Sequence, residues 1–176
     1  MENLTGEDKQ KIGIVVEDVY KEFSARVKLV EEISIKLEKK MNLFQPKLIN
    51  YLKGVCKKEY DWIEQHSKVV ESDGQVRIEV EDKFKNEAES RFKEWEDCSK
   101  VNDLGVKKYF DTVEEENNSF RLTHDACMRA CIKDVQRKSN TELFNCFKPC
   151  FSVLFDKSES SIKNALEKVN EFDSKL

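Results

Sequence analysis

Glycine and proline are scarce in this chain of 176 residues, which contains five glycines and two prolines. Strong turn signals are correspondingly few, so this composition favours long helices over a β-fold. No run of eighteen apolar residues occurs, so we expect no membrane-spanning helix. Charges of both signs are mixed along the chain and the net charge is −4, so nucleic acid is not an expected partner.

Residues that could carry out chemistry are also few. The sequence has no glycine-rich phosphate loop, no nucleophile with a matching base and no carboxylate pair set apart from the general charge. Its two histidines, His66 and His124, lie in helix-forming stretches, where a structural role is the simpler interpretation. We therefore expect a non-enzymatic protein with no catalytic residue, no metal site and no cofactor.

The first ten residues, MENLTGEDKQ, carry a net negative charge. They lack the apolar core of a secretory signal and the arginine-rich amphipathic pattern of a matrix transit peptide. Neither kind of targeting segment is therefore expected at this end of the chain.

Hydrophobic residues (39%) are as frequent as charged ones (38%) and recur at helical spacing. A first helix is predicted over 8–43, followed by a break or a sharp kink at Pro46. Two further helices, over 47–71 and 76–100, should form an antiparallel hairpin around a turn at 72–74. The apolar stripe of the first helix consists of Ile12, Val16, Val19, Phe23, Val27, Val30, Ile33, Leu37 and Met41.

Two more helices are predicted in the last part of the chain. The fourth covers 106–137 and carries apolar residues at steps of three or four for most of its length. Ser139 and Glu142 have the spacing of a capping box, which marks the start of a fifth helix. Pro149 then either kinks this helix or is its actual start, because proline removes a hydrogen bond from a helix interior.

Four of the six cysteines form two C-x3-C pairs, Cys127 with Cys131 and Cys146 with Cys150. A spacing of four places both thiols of a pair on one helix face. An antiparallel register centred between residues 138 and 139 brings the two pairs opposite each other. Of the three possible connectivities, this register favours the nested disulfides Cys127–Cys150 and Cys131–Cys146. Bonds within a pair fit the disulfide torsion poorly.

Two alternatives remain open for these four cysteines: a zinc site with His124 as a further ligand, or reduced thiols packed as small core residues. Cys56 and Cys98 are a separate case. If the second and third helices turn near residue 73, Cys56 faces roughly position 90, and Cys98 lies some seven residues, or about 10 Å, further along its helix. That distance exceeds disulfide reach, so both are predicted to be free, buried thiols, with a bond to another chain as the alternative.

The predicted fold is therefore all-α, with long amphipathic helices and a C-terminal, disulfide-stapled antiparallel helical hairpin. This hairpin covers 104–176. An N-terminal helical extension, made of one long helix and a helical hairpin, covers 1–103.

Three residues around the cysteines add to the pattern: a basic residue inside the first pair, an apolar one just after it and an acidic one before the second. They are Arg129, Ile132 and Glu142. Together with the cysteines, they make residues 105–176 resemble the twin C-x3-C hairpin of the small Tim chaperones of the mitochondrial intermembrane space. A second group of mitochondrial helical proteins shares the spacing. The long segment before the motif and Pro149 depart from the small Tim pattern.

The resemblance implies import into the intermembrane space by oxidative trapping of the C-x3-C cysteines, which needs no cleavable presequence. It also implies an apolar helix face that assembles with other subunits or holds hydrophobic clients. The candidate interaction face is an aromatic stripe formed by Phe147, Phe151, Phe155 and Ile162. The other interpretation of this stripe is packing against the chain's own preceding helices.

We therefore expect a structural or assembly subunit of a mitochondrial complex in the intermembrane space, peripheral to the inner membrane, with other protein subunits as its partners. Two alternatives stay open. One is a small Tim-like chaperone that carries hydrophobic membrane-protein precursors across the intermembrane space. The other is a cytosolic or cytoskeletal helical interaction protein with reduced cysteines.

Overall fold

A computed structural model describes residues 4–72 and 75–176. Within these ranges the chain forms α1 (Gly6–Glu22), α2 (Ser24–Val55), α3 (Lys57–His66), β1 (Ser67–Ser72), β2 (Gln75–Val80), α4 (Lys85–Asn102), α5 (Val106–Ile132) and α6 (Asn140–Asp173). Short 3-10 turns precede α4 and α6, at Asp82–Phe84 and Val135–Arg137. The predicted all-α class is confirmed, with one small hairpin of strands added. None of the described helices is long and apolar enough to cross a membrane.

The described residues group into two compact units. The first combines the chain up to Met41 with Asp111–Asn170, and the second combines Asn42–Phe110 with Glu171–Leu176. These units differ from the extension and hairpin expected to meet near residue 103. The start of the chain belongs with the cysteine hairpin, because α1 buries its apolar stripe there.

The apolar stripe predicted for the first helix is confirmed. All nine of its positions are at least partly buried, and Val19, Phe23 and Ile33 are buried. One interruption occurs at Phe23, between α1 and α2, where the Phe23 amide still donates to the Val19 carbonyl at 3.1 Å. α1 begins with a capping box in which the Thr5 hydroxyl accepts from the Asp8 amide at 3.2 Å and the Asp8 carboxylate accepts from the Thr5 amide at 3.0 Å.

Of the break or sharp kink predicted at Pro46, the break is wrong, because α2 continues through the proline to Val55. Proline has no amide hydrogen, so the carbonyl of Asn42 loses its helical partner. Both residues are exposed, and water can satisfy that carbonyl. On the opposite side Phe44 is buried and stacks on Phe172, with ring centroids 6.4 Å apart. Packing of the buried face therefore outweighs the proline.

The helices predicted over 47–71 and 76–100 are wrong where they approach each other, because β1 and β2 lie there. The strands pair antiparallel in the register Ser67↔Val80, Lys68↔Glu79, Val69↔Ile78, Val70↔Arg77, Glu71↔Val76 and Ser72↔Gln75. Positions 76, 78 and 80 are β-branched and alternate with polar residues, which is the period-two pattern of a strand. The turn predicted at 72–74 falls partly on residues 73 and 74, outside the described ranges.

The capping box predicted at Ser139 and Glu142 is confirmed. The amide and hydroxyl of Ser139 donate to the Glu142 carboxylate at 2.7 and 2.8 Å, and the Glu142 amide donates to Ser139 Oγ at 3.2 Å. α6 therefore starts at this box and runs continuously through Pro149. Asn145, whose carbonyl has no amide partner at Pro149, is exposed, as is the proline. The missing hydrogen bond lies on the water-facing side of the helix.

Candidate functional site

Two disulfides join α5 to α6 as nested rungs. Cys127 is bonded to Cys150 with the Cα atoms 5.9 Å apart, and Cys131 is bonded to Cys146 with the Cα atoms 5.6 Å apart. Both Cα distances lie in the ordinary range for disulfides. This is the nested arrangement expected from the spacing. Sulfurs bonded in this way offer no thiolates to a zinc ion.

The chain reverses between the two helices in a short loop with many hydrogen bonds. Asp134 has a φ of 58°, in the left-handed region where helices commonly end. The ammonium group of Lys138 donates to the carbonyls of Cys131 at 2.7 Å and Lys133 at 2.8 Å. These carbonyls lie at the C-terminal end of α5, where a positive charge also interacts favourably with the helix dipole. The helix therefore ends at Ile132, earlier than predicted.

α1 contacts this loop through two polar side chains. The Asp8 carboxylate accepts from the Gln136 side-chain amide at 3.1 Å, and the Lys11 ammonium donates to the carbonyl of Val135 at 3.2 Å. Asp8 is buried. The hydrogen bond from the Thr5 hydroxyl, followed by those from Gln136 and the Thr5 amide, holds the pKa of Asp8 below its ordinary value.

The aromatic stripe proposed as an interaction face is mostly buried inside the chain. The side chains of Phe147, Phe151 and Phe155 are between 0 and 7% exposed. Tyr20 of α1 lies edge-on to Phe151, with ring centroids 5.0 Å apart. Ile162, the fourth member, is only partly buried. Three of the four positions therefore serve internal packing, as the second interpretation of the stripe requires.

α1 and the double-disulfide hairpin share one hydrophobic core. Its buried members are Val15, Val19, Phe23, Cys131, Val135, Leu143, Phe147, Cys150, Phe151 and Phe155. Each rung contributes one sulfur-bearing residue to this core, Cys131 or Cys150. Covering this face removes a large apolar area from water, which is the main favourable term in holding α1 in place.

Ion pairs border this core. Arg26 of α2 pairs with Asp156 of α6 and lies 3.7 Å from a carboxylate oxygen of Glu159. Lys148 pairs with Glu22 at 2.5 Å. Surface pairs of this kind contribute little to stability, because water and salt screen the charges. Their main effect is to fix how α6 lies against α1 and α2.

The prediction that Cys56 and Cys98 are free thiols is wrong, because they form a third disulfide with Cα atoms 6.0 Å apart. The prediction assumed two helices that reverse near residue 73. Strands make this reversal instead, and the 3-10 turn Asp82–Phe84 uses further residues before α4 begins. The register between α3 and α4 therefore shifts and brings Cys98 to Cys56. Nearby, Tyr60 and Trp95 pack with ring centroids 5.4 Å apart.

The two histidines occupy structural positions. His66 Nδ1 lies 2.8 Å from the carbonyl of Trp62, and the two rings stack. His124 packs edge-on to Phe151, with ring centroids 5.4 Å apart. Nowhere in 4–72 or 75–176 do three or more His, Cys, Asp or Glu side chains gather in a way that could hold a metal ion.

A scan against protein-family models finds no matching family, and searches of curated proteins and of solved structures find no match either. The resemblance to the small Tim hairpin therefore rests on the cysteine spacing and the residues next to it. The structure itself is a helical scaffold that is fixed by disulfides and packed around an internal core.

Proposed function

We propose that this protein is a non-enzymatic structural or assembly subunit of a mitochondrial complex, located in the intermembrane space at the outer face of the inner membrane. The observation that supports this most directly is the pairing of all six cysteines in three disulfides. Two of these disulfides belong to the C-x3-C motif, and the third lies outside it.

The disulfides bear first on the compartment. Disulfides persist in oxidising compartments and are rare where glutathione and thioredoxin keep thiols reduced. The cytosolic alternative assumed reduced cysteines, so it has the least support of the three. The intermembrane space combines an oxidising environment with the motif that the resemblance associates with import by oxidative trapping.

The covered aromatic stripe bears on the choice between a subunit and a carrier. A carrier of hydrophobic precursors needs an accessible apolar surface. Here Phe147 and Phe151 are buried in the core that α1 shares with the hairpin, so this face is open neither to clients nor to partner subunits. A subunit can assemble through its other surfaces, whereas a carrier loses the face on which it would hold its clients. The covered stripe therefore favours the subunit.

The location is tested by protease protection in isolated mitochondria. We expect the protein to resist protease in intact mitochondria and to be degraded once the outer membrane is ruptured. Oxidative trapping is tested by replacing Cys127 and Cys131 with Ala, which should prevent accumulation in mitochondria. The matched control replaces Cys56 and Cys98 with Ala, since this pair lies outside the motif and its loss should leave import intact. Protein found wholly in the cytosol would contradict the proposal.

The assembly role is tested by native electrophoresis of detergent-solubilised mitochondria. A subunit should migrate in a complex that also contains other proteins. The carrier alternative makes a different prediction: crosslinks to membrane-protein precursors arrested in transit. Such crosslinks without a stable complex would favour the carrier over the subunit.

A further inference from the structure

The hairpin of β1 and β2 is an open sheet. In the described part of the chain this sheet has only two strands, so each strand has one edge with unpaired backbone groups. Such an edge is a template for a further strand. A two-stranded sheet is also marginally stable by itself, and added strands stabilise it.

The backbone groups on the outer edge of β2 can be identified from the ladder. The Glu81 amide donates to the His66 carbonyl at 3.0 Å, one step beyond the Ser67↔Val80 pair. Hydrogen-bonded and non-hydrogen-bonded pairs alternate in an antiparallel ladder. Positions 75, 77 and 79 therefore point their amides and carbonyls toward β1, whereas positions 76, 78 and 80 point theirs outward.

The middle of this edge carries an exposed apolar side chain between two opposite charges. Ile78 is 54% exposed, and its cross-strand neighbour Val69 is 71% exposed. Arg77 and Glu79 flank Ile78 and lie on the other face of the sheet. Glu79 also lies 3.8 Å from Lys68, its neighbour on β1.

We propose that two copies of this chain associate through the outer edge of β2, antiparallel and with the two-fold axis at Ile78. Position 78 then lies opposite position 78 of the second copy, and positions 76 and 80 lie opposite each other. All of these positions point their backbone groups outward, so every pair can exchange two hydrogen bonds. The result is a four-stranded sheet with a self-complementary interface, as two-fold symmetry requires.

The charges select this register. With the axis at Ile78, each Arg77 lies opposite Glu79 of the other copy, and opposite charges placed directly across strands stabilise a sheet. An axis at Val80 would place Glu79 opposite Glu81, a repulsive pair. The edge of β1 has no such symmetry, because an axis at Val69 would place a lysine opposite a valine.

The interaction is measured by sedimentation velocity over a series of protein concentrations. The weight-average mass should rise from 20.7 kDa toward twice that value as concentration increases. Replacing Ile78 with Lys brings two like charges together at the axis and should keep the mass at 20.7 kDa. Val69→Lys is the matched control, because Val69 shares the exposed face but not the edge, and this variant should still associate. If Ile78→Lys and Val69→Lys lower the weight-average mass equally, the two copies do not associate through the outer edge of β2.

Charge reversal tests the register. Arg77→Glu alone should weaken association, because it places acidic side chains opposite one another, and Glu79→Arg added to it should restore association. If the double variant associates no better than Arg77→Glu alone, the register is wrong. Thermal unfolding of each variant shows whether the protein as a whole remains folded.

Covalent trapping identifies the partner. Cα atoms of an antiparallel hydrogen-bonded pair lie about 5.5 Å apart, within disulfide reach. Ile78→Cys should therefore crosslink two copies under mild oxidation, while Val69→Cys should not. A wild-type mass that stays at 20.7 kDa at all concentrations, or crosslinking of Ile78→Cys only to a different protein, would overturn pairing between copies.

Discussion

The buried carboxylate of Asp8 accepts a hydrogen bond from the side-chain amide of Gln136 at 3.1 Å. It also accepts from the amide and hydroxyl of Thr5 at 3.0 and 2.8 Å, which closes the capping box of α1. One side chain thus serves both the start of α1 and its attachment to the loop between the disulfide-bearing helices. The position of α1 should therefore depend on the ionisation of Asp8.

This dependence predicts how stability varies with pH. Hydrogen bonds lower the pKa of Asp8 from its ordinary value of 3.8. The ionised carboxylate therefore contributes stability above the unfolded pKa, and this contribution is lost as pH falls through the folded pKa. Asp8→Asn should unfold at a lower temperature than the wild type near neutral pH. The difference should shrink in acid, as thermal unfolding followed by circular dichroism at several pH values would show.

Glu142 is a second group with a lowered pKa, because the Ser139 amide and hydroxyl donate to it. Glu142 is present in both the wild type and Asp8→Asn, so its titration affects the stability of both in the same direction. The difference between the two proteins therefore reports on Asp8 alone. A difference in unfolding temperature that is equal at neutral and acidic pH would contradict the role assigned to the Asp8 charge.

Phe147 tests the packing of the hairpin against α1. Its side chain is 0% exposed, and Phe147→Ala should lower the free energy of unfolding by about 3–5 kcal/mol through the cavity it leaves. Val153 lies on the same helix but is 50% exposed. Val153→Ala should therefore change the free energy of unfolding by less than about 1 kcal/mol. Urea unfolding of the oxidised proteins measures both. Similar costs at the two sites would mean that α1 does not cover the stripe.

The parts of the fold that sequence reasoning predicted correctly are governed by local rules. Val19, Phe23 and Ile33 follow helical spacing and are buried, and Ser139 with Glu142 caps a helix as its spacing predicts. These patterns involve residues within one or two helical turns of one another. They can therefore be recognised in a single sequence without knowledge of distant contacts.

The parts that were missed depend on distant partners or on a second local pattern. Pro46 sits in a continuous helix because Phe44 packs on a residue far along the chain. The sequence around Ile78 alternates as a strand does, but Val76, Val80 and Phe84 also follow helical spacing. The helix predicted there then placed Cys98 out of reach of Cys56, because the register of two helices depends on what connects them.

The two helical prolines lead to a prediction about stability. Pro149 and Pro46 lie inside α6 and α2 on exposed positions. Replacing either with Ala restores a backbone hydrogen bond and removes a helix penalty of about 3 kcal/mol, offset in part by the greater freedom of the unfolded chain. Each variant should gain roughly 1–2 kcal/mol in urea unfolding. A loss of stability would show that the proline ring makes contacts that matter more than the helix penalty.

Removing the third disulfide, Cys56–Cys98, should destabilise the protein more than removing the inner rung of the hairpin, Cys131–Cys146. Cys56 and Cys98 are separated by 42 residues and Cys131 and Cys146 by 15. In the chain-entropy model, removing the first should cost about 4 kcal/mol. Removing the second should cost less than about 3 kcal/mol, because the outer rung Cys127–Cys150 still closes the same loop. Paired Cys→Ala variants, compared by urea unfolding without reductant, measure both costs. No loss of stability in Cys56→Ala with Cys98→Ala would contradict a bond between them.

The pairing of all six cysteines is the central claim, and intact mass with thiol alkylation tests it most directly. Protein isolated natively and denatured without reductant should take up no alkylating groups, and after reduction it should take up six. Peptide mapping of the unreduced protein should recover the links Cys56–Cys98, Cys127–Cys150 and Cys131–Cys146. Six thiols alkylated without reduction, or different links, would contradict the oxidised scaffold and the compartment proposed for it.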